Sequence, residues 1–240
     1  SPLPVGVRNP HDTDRTPGVS SSGSAAAVAD FMVPLANGTQ TGGSVILPAA
    51  FCGVVGYKAS LDGLDRTGIQ ALKKSLDTLG YFARSVEDIG LVYSAVTGHA
   101  VPAVSDRPKI GVCRTPNWHL ADKATQECLL RAAKDLEAFG ATVTDFDLPA
   151  DFDEAIEGFD AISGYEISRV LAYEWVNYPD LLSDNMRNNR VPVGLKVTPM
   201  EYQAGLAKLS DYRRRYAASL EGWDVLITPS APGEAPPDLT

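Results

Sequence analysis

A chain of 240 residues with 44% hydrophobic and 21% charged residues is large enough to bury a substantial core, as one domain or two small ones. Its net charge of −9 argues against nucleic acid or an anionic membrane surface as partner, and no run of about 18 apolar residues is present to cross a bilayer. The three cysteines, Cys52, Cys113 and Cys128, lack CxxC spacing, which disfavours a disulfide framework or zinc site and points to a reducing, cytoplasmic setting.

The opening residues, SPLPVGVRNP, have no basic region followed by an apolar stretch and do not read as a signal peptide. Residues 1–60 are rich in Gly, Ser, Ala and Pro, yet AAAVADFMVPLA is too apolar to be a solvated linker. Gly23 and Ser24 followed by Ala25 to Met32 predict a buried helix, and Val33 to Ala36 a short buried strand. Residues 38–44, GTQTGGS, predict a glycine-bearing turn, and VILPAAFCGVV a second short helical run.

Ser85 with Asp88 three residues on has the form of a helix N-cap, and Gly98 of its stop. KIGVC at 109–113 reads as a strand, Asp122 to Phe139 as a helix stopped by Gly140, and ATVTDFDL as another strand. Such alternation favours a sheet with helices packed on it. The stretch 151–195 is helical in character. Its Tyr165, Tyr173, Trp175 and Tyr178 suit either ordinary packing or a pocket wall. Thr198, Pro199 and Glu201 open a helix with a capping box, Gly222 ends it after Leu220, and WDVLITP predicts a buried strand.

Chemistry concentrates near the N-terminus. Two glycines before Ser44 allow close backbone approach and inward N–H groups, which can hold a developing oxyanion. Alone, such a motif reads as a turn with a capping serine. Ser20, Ser21, Ser22 and Ser24, around Gly18 and Gly23, read alone as a loop and helix cap. A serine nucleophile needs a proton acceptor. None of His11, His99 and His119 sits in a triad context, no GxSxG elbow is present, and the three histidines are too scattered to suggest a metal site. A serine relay backed by lysine would serve instead.

The run TPGVSSSGSAAAVADFMVPLANGTQTGGSVILPAAFCGVVGYKAS resembles the signature of the amidase signature family. The resemblance continues through KSLDTLGYFARSVEDIGLVYSAVTG and returns at DVLITPSAPGEAP. It implies an α/β fold, a central mixed β-sheet covered by helices on both faces, incomplete here at both ends. It also implies a Ser–cis-Ser–Lys triad in which Ser44 is the nucleophile and Ser20 the serine of the cis peptide. The matching oxyanion donors are the N–H groups of Thr41, Gly42, Gly43 and Ser44, with Ser22 and Thr39 as supporting hydroxyls.

One partial domain over 1–240 is then expected, with a serine- and glycine-rich catalytic core at 1–100 and a helical substrate-side region with a returning sheet strand at 101–240. The implied activity is hydrolysis of a small-molecule amide, without metal or cofactor, in a protein that could form a homodimer. The family also contains the glutaminase subunit of tRNA-dependent amidotransferases. The family lysine lies well upstream of the serine loop. The first lysine here, Lys58, matches a different family position. Two readings follow: an internal piece of a longer amidase, or a catalytically silent homologue. Val19 stands where a glycine is usual, Gln40 where an acidic residue is usual, and Ile46 where an arginine is usual.

Overall fold

The computed structural model describes residues 6–103, 105–149 and 154–237, so residues 151–153 of the expected helical stretch lie outside the described part. The chain divides into two compact units. One holds the residues up to Pro102 with Ser183–Asn185 and the chain from Glu234 onward; the other holds Ala103–Leu182 and Met186–Gly233.

In the first unit the elements run α1 (Ser22–Ala29), β1 (Leu35–Gln40), α2 (Ile46–Phe51), β2 (Val55–Lys58), β3 (Thr78–Ala83) and α3 (Val86–Thr97). The three strands form an antiparallel sheet ordered β1-β3-β2, with Leu35 and Val55 both opposite Ala83. Ala25, Ala26 and Val28 of α1 pack with Val45, Ala49, Cys52 and Phe82 into a core of mostly small side chains. Small residues let helix and sheet backbones approach closely. A Cβ on Gly80 would overlap the Tyr57 carbonyl oxygen of the adjacent strand. Arg84 donates to the carbonyls of Val28, at the end of α1, and of Val33, in the segment leading to β1, at 3.1 and 2.9 Å.

The strand expected at 33–36 instead spans Leu35–Gln40. Pro34 has no N–H to give a ladder, and the half-exposed LANGTQ run pairs along β3. Residues 38–40, expected in the turn, therefore belong to the strand. Ser85 accepts from the Asp88 N–H and Gly98 closes α3 with φ 72°. The tail returns beside the serine loop: Thr16 N–H donates to the Pro236 carbonyl at 3.0 Å and Arg15 to that of Ala235.

The second unit contains β4 (Lys109–Cys113), α4 (Lys123–Ala138), β5 (Thr142–Phe146), α5 (Glu154–Val170), α6 (Ala172–Asn177), α7 (Val191–Lys196), α8 (Pro199–Ser219) and β6 (Val225–Ile227). Its strands form a parallel sheet ordered β5-β4-β6. The mixed α/β character thus resides in one antiparallel and one parallel trio. Val112, Leu129 and Ala133 form its core with Trp118, Val143 and Ile227. The capping box at Thr198 is present, with Thr198 and Glu201 each bonding the other's backbone. Among the described residues no helix is long and apolar enough to cross a membrane.

Candidate active site

The serine-rich loop turns against α2. A Cβ on Gly18, whose φ is 107°, would sit 2.6 Å from the Pro48 Cα, so only glycine fits this approach. Ser20 follows with φ 67°, an uncommon left-handed value for a non-glycine residue. Every described peptide bond is trans, including that before Ser20, which corrects the cis bond expected there. A non-proline cis bond costs about 3–4 kcal/mol and persists only where its surroundings enforce it. Here the positive φ values at Gly18 and Ser20 make the turn instead.

Ser21, at the N-cap of α1, ties this loop to β1. Its hydroxyl accepts from the Thr39 N–H and donates to the Thr39 carbonyl, both at 3.2 Å. Sequence reasoning passed over Ser21 for Ser22, which begins α1 and is buried. Thr39 is thereby held on β1 at the cavity edge.

The glycine loop follows β1 directly. Gln40 Oε1 accepts from the N–H groups of Val45 and Ile46 at 2.8 and 3.0 Å, capping the start of α2. The uncharged amide does this where an acidic residue is usual, and no cation is needed at Ile46 to balance it. Thr78 Oγ1 donates to the Gln40 carbonyl at 3.0 Å, fixing the strand end to β3. Gly43 has φ 112°, and Ser44 is half-buried. Among the described residues no hydrogen bond takes up the N–H groups of Thr41, Gly42, Gly43 or Ser44.

Ser20, Ser44, Thr39 and Thr41 line one cavity of about 300 Å³. Its opposite wall comes from residues 66–78, a segment in which sequence reasoning placed no site residue. Asp77 anchors that wall. Its Oδ1 accepts from Thr41 Oγ1 at 2.5 Å and its Oδ2 from the N–H groups of Leu72 and Lys73, both at 2.8 Å. The only sequence signal for Asp77 was its place within the SLD run. Arg66 and Lys74 also face the cavity, whereas Lys58 instead donates to the Ala59 carbonyl. Among the described residues no group of three or more His, Cys, Asp or Glu is placed to hold a metal ion.

The family model described as Amidase matches residues 2–239. A chloroplastic/mitochondrial glutamyl-tRNA(Gln) amidotransferase subunit from Vitis vinifera is 31% identical over 273 aligned residues, covering 95% of this chain and 50% of the relative. Among solved structures, one described as the crystal structure of amidase superposes with a TM-score of 0.88 at 30% identity, covering 96% of this chain and 53% of that one. The corresponding glutamyl-tRNA(Gln) amidotransferase subunit from Thermotoga maritima superposes with a TM-score of 0.75 at 29% identity, covering 96% and 54%. The chain spans about half the length of these relatives.

Proposed function

The chain belongs to the amidase family, and from that premise we propose that it carries the nucleophile of an amidohydrolase that cleaves a small amide through a seryl acyl-enzyme. The observation supporting this reading most is the convergence of Ser20 and Ser44 on one cavity whose glycine loop leaves four N–H groups unpaired among the described residues.

In the proposed mechanism Ser44 Oγ attacks the amide carbonyl and gives its proton to Ser20. The carbonyl oxygen gains charge as it becomes tetrahedral, and the N–H groups of residues 41–44 are the donors proposed to hold that charge. A single donor of this kind is worth about 100- to 1000-fold in rate. Collapse of the intermediate breaks the C–N bond. Ser20 then delivers the proton to the leaving nitrogen, and water releases the acid from Ser44. Ser20 needs a base of its own. The family uses a lysine with no match in this sequence, and the proposal takes it from the longer protein that relatives of about twice this length imply.

A fluorophosphonate probe tests this, because it labels only an activated hydroxyl. In a longer protein that includes the upstream lysine, the expected result is one adduct at Ser44 that vanishes in Ser44→Ala. Failure to label a longer protein that includes the upstream lysine would overturn the reading and favour a silent homologue.

A second reading is favoured by the relatives themselves: a glutaminase subunit that releases ammonia for a tRNA-dependent amidotransferase. Glutamine hydrolysis that depends on added partner proteins supports it; rapid hydrolysis of unrelated amides by the protein alone opposes it.

A further inference from the structure

Asn9 precedes the serine loop and is 2% exposed, yet each of its polar groups is bonded. Its N–H donates to the Arg15 carbonyl and its own carbonyl accepts from the Asp12 N–H, which closes residues 9–15 into a loop. Its side-chain Oδ1 accepts from the His11 N–H at 3.0 Å. The amide nitrogen Nδ2 has two hydrogens to give and meets two carbonyls, that of Thr16 at 3.2 Å and that of Phe51 at 2.8 Å. These carbonyls belong to the two segments that carry the serines. Thr16 begins the turn that leads to Ser20, and Phe51 is the last residue of α2, the helix that follows Ser44. The last carbonyls of a helix have no donor within it. Asn9 supplies one here, and His11 Nε2 meets the next carbonyl, that of Cys52, at 2.9 Å. Gln40 holds the opposite end of α2. The helix is thus fastened at both ends, and one buried carboxamide bonds it to the serine loop.

We infer that Asn9 is a positioning residue for the proton transfer between Ser44 and Ser20, setting how closely the Ser20 loop approaches the helix behind Ser44. It acts through the Thr16 and Phe51 carbonyls, and the inference rests on the amidase reading for the chemistry it serves. Residues 16–20 belong to no helix or strand, so no backbone ladder fixes their place. A proton passes between two hydroxyls only within hydrogen-bond reach, and a misplacement of about 1 Å can cost about 100-fold in rate. Two further contacts mark the same approach: Cys52 Sγ donates to the Pro17 carbonyl at 3.4 Å, and Gly18 lies against Pro48. Cys52, fully buried, therefore reports whether the loop is seated.

Asn9→Ser keeps an oxygen that can accept from the His11 N–H but is too short to reach both carbonyls; Asn9→Asp keeps the shape and loses both donors. Ser85→Ala is the control, because it removes the N-cap of α3 in the same unit without touching either serine-bearing segment. In the 240-residue chain, iodoacetamide at pH 8 is expected to alkylate Cys52 about tenfold faster or more in both Asn9 variants, and within about twofold of wild type in Ser85→Ala. In a longer protein that supplies the lysine, the rate of Ser44 labelling at saturating fluorophosphonate is expected to fall at least about tenfold in the Asn9 variants. The half-saturating concentration is expected to stay within about twofold, and Ser85→Ala to label as wild type does. Should Asn9→Asp fail to fold because it buries a charge, Asn9→Ser decides alone. Equal Cys52 rates in wild type and Asn9→Ser overturn the inference. So do equal effects of Asn9→Ser and Ser85→Ala, or full Ser44 labelling in a variant whose Cys52 is loosened. A wild-type protein with the lysine that never labels overturns the amidase reading instead, and the Cys52 comparison still decides whether Asn9 seats the loop.

Discussion

Thr41 and Asp77 meet side chain to side chain at 2.5 Å across 36 positions of sequence. The bond joins the loop carrying Ser44 to the segment forming the opposite cavity wall, and the second oxygen of Asp77 organises that segment through two peptide N–H groups. Asp77→Ala leaves three donors without their acceptor. A buried donor left unpaired costs about 1–3 kcal/mol, and each kcal/mol lowers Tm by about 2–4 °C in a chain of this length. A thermal melt is therefore expected to shift down by at least about 4 °C, and in a longer protein that supplies the lysine fluorophosphonate labelling of Ser44 is expected to slow. Asp77→Asn is expected to be milder, because its oxygen can still serve the Leu72 and Lys73 N–H groups while the Thr41 hydroxyl turns to accept from the new amide. Indistinguishable melts for wild type and Asp77→Ala would show that this fastening contributes nothing.

Gln40 makes a comparable prediction. Its Oε1 is the acceptor for two N–H groups at the start of α2. Removing such a cap costs about 0.5–2 kcal/mol, so Gln40→Ala should be destabilised by that amount in urea unfolding. Gln40→Glu keeps an acceptor at the same place and sets a negative charge against a helix N-terminus, where it is favourable. It should lie within about 1 kcal/mol of wild type without an arginine at position 46. A loss larger than that of Gln40→Ala would mean that the carboxylate does need the cation that Ile46 replaces.

Local chemistry made several elements legible in the sequence. Ser85 and Asp88, Thr198 and Glu201, and the glycines at 98, 140 and 222 mark helix ends through bonds and φ values that form within a few residues. β3 was not legible. All but one of its residues are buried, so it shows no polar alternation, and it carries a glycine at its centre. Gly80 is there because β2 lies too close for a side chain, a fact of the tertiary fold. The candidate site divides in the same way. Ser20 and Ser44 were legible through a long run of residues in register with a known family. Asp77, Arg66 and Lys74 reach the cavity only because segment 66–78 folds over it, and no local spacing records that.

Gly43 separates backbone geometry from packing. Its φ is 112°, yet a Cβ there would meet nothing within 4 Å. Gly43→Ala therefore costs conformational energy alone, about 1–2 kcal/mol for a side chain forced into this region. If the alanine chain relaxes toward negative φ, the N–H groups of residues 42–44 turn with it. The expected outcome is a modest stability loss by urea unfolding and, in a longer protein that supplies the lysine, a larger loss of Ser44 labelling. A variant that keeps full labelling would show that this φ does not set the direction of the donors.

Cys52 gives a probe of the serine loop that needs no substrate. Its side chain is fully buried, and its Sγ donates to the Pro17 carbonyl at 3.4 Å, just ahead of Gly18 and Ser20. Burial pushes its thiol up to about 11, and burial likewise raises that of Cys113, whereas Cys128 is exposed. Only thiolate alkylates readily. Iodoacetamide at pH 8 should therefore add one equivalent to the native protein, at Cys128, and three in denaturant, read by intact mass. The sign of the pH dependence follows from the raised value. The folded state holds the Cys52 proton more tightly than the unfolded chain does, so the contribution to stability is complete below about pH 9 and is lost as the pH rises toward 11. At pH 8 the slow second equivalent should appear at the rate at which the loop before Ser20 lifts from α2. Substituting Gly18 with alanine forces that loop away from Pro48 and should accelerate alkylation of Cys52 without changing that of Cys128. Equal acceleration at both cysteines would indicate global unfolding and would dissociate Cys52 from the serine loop.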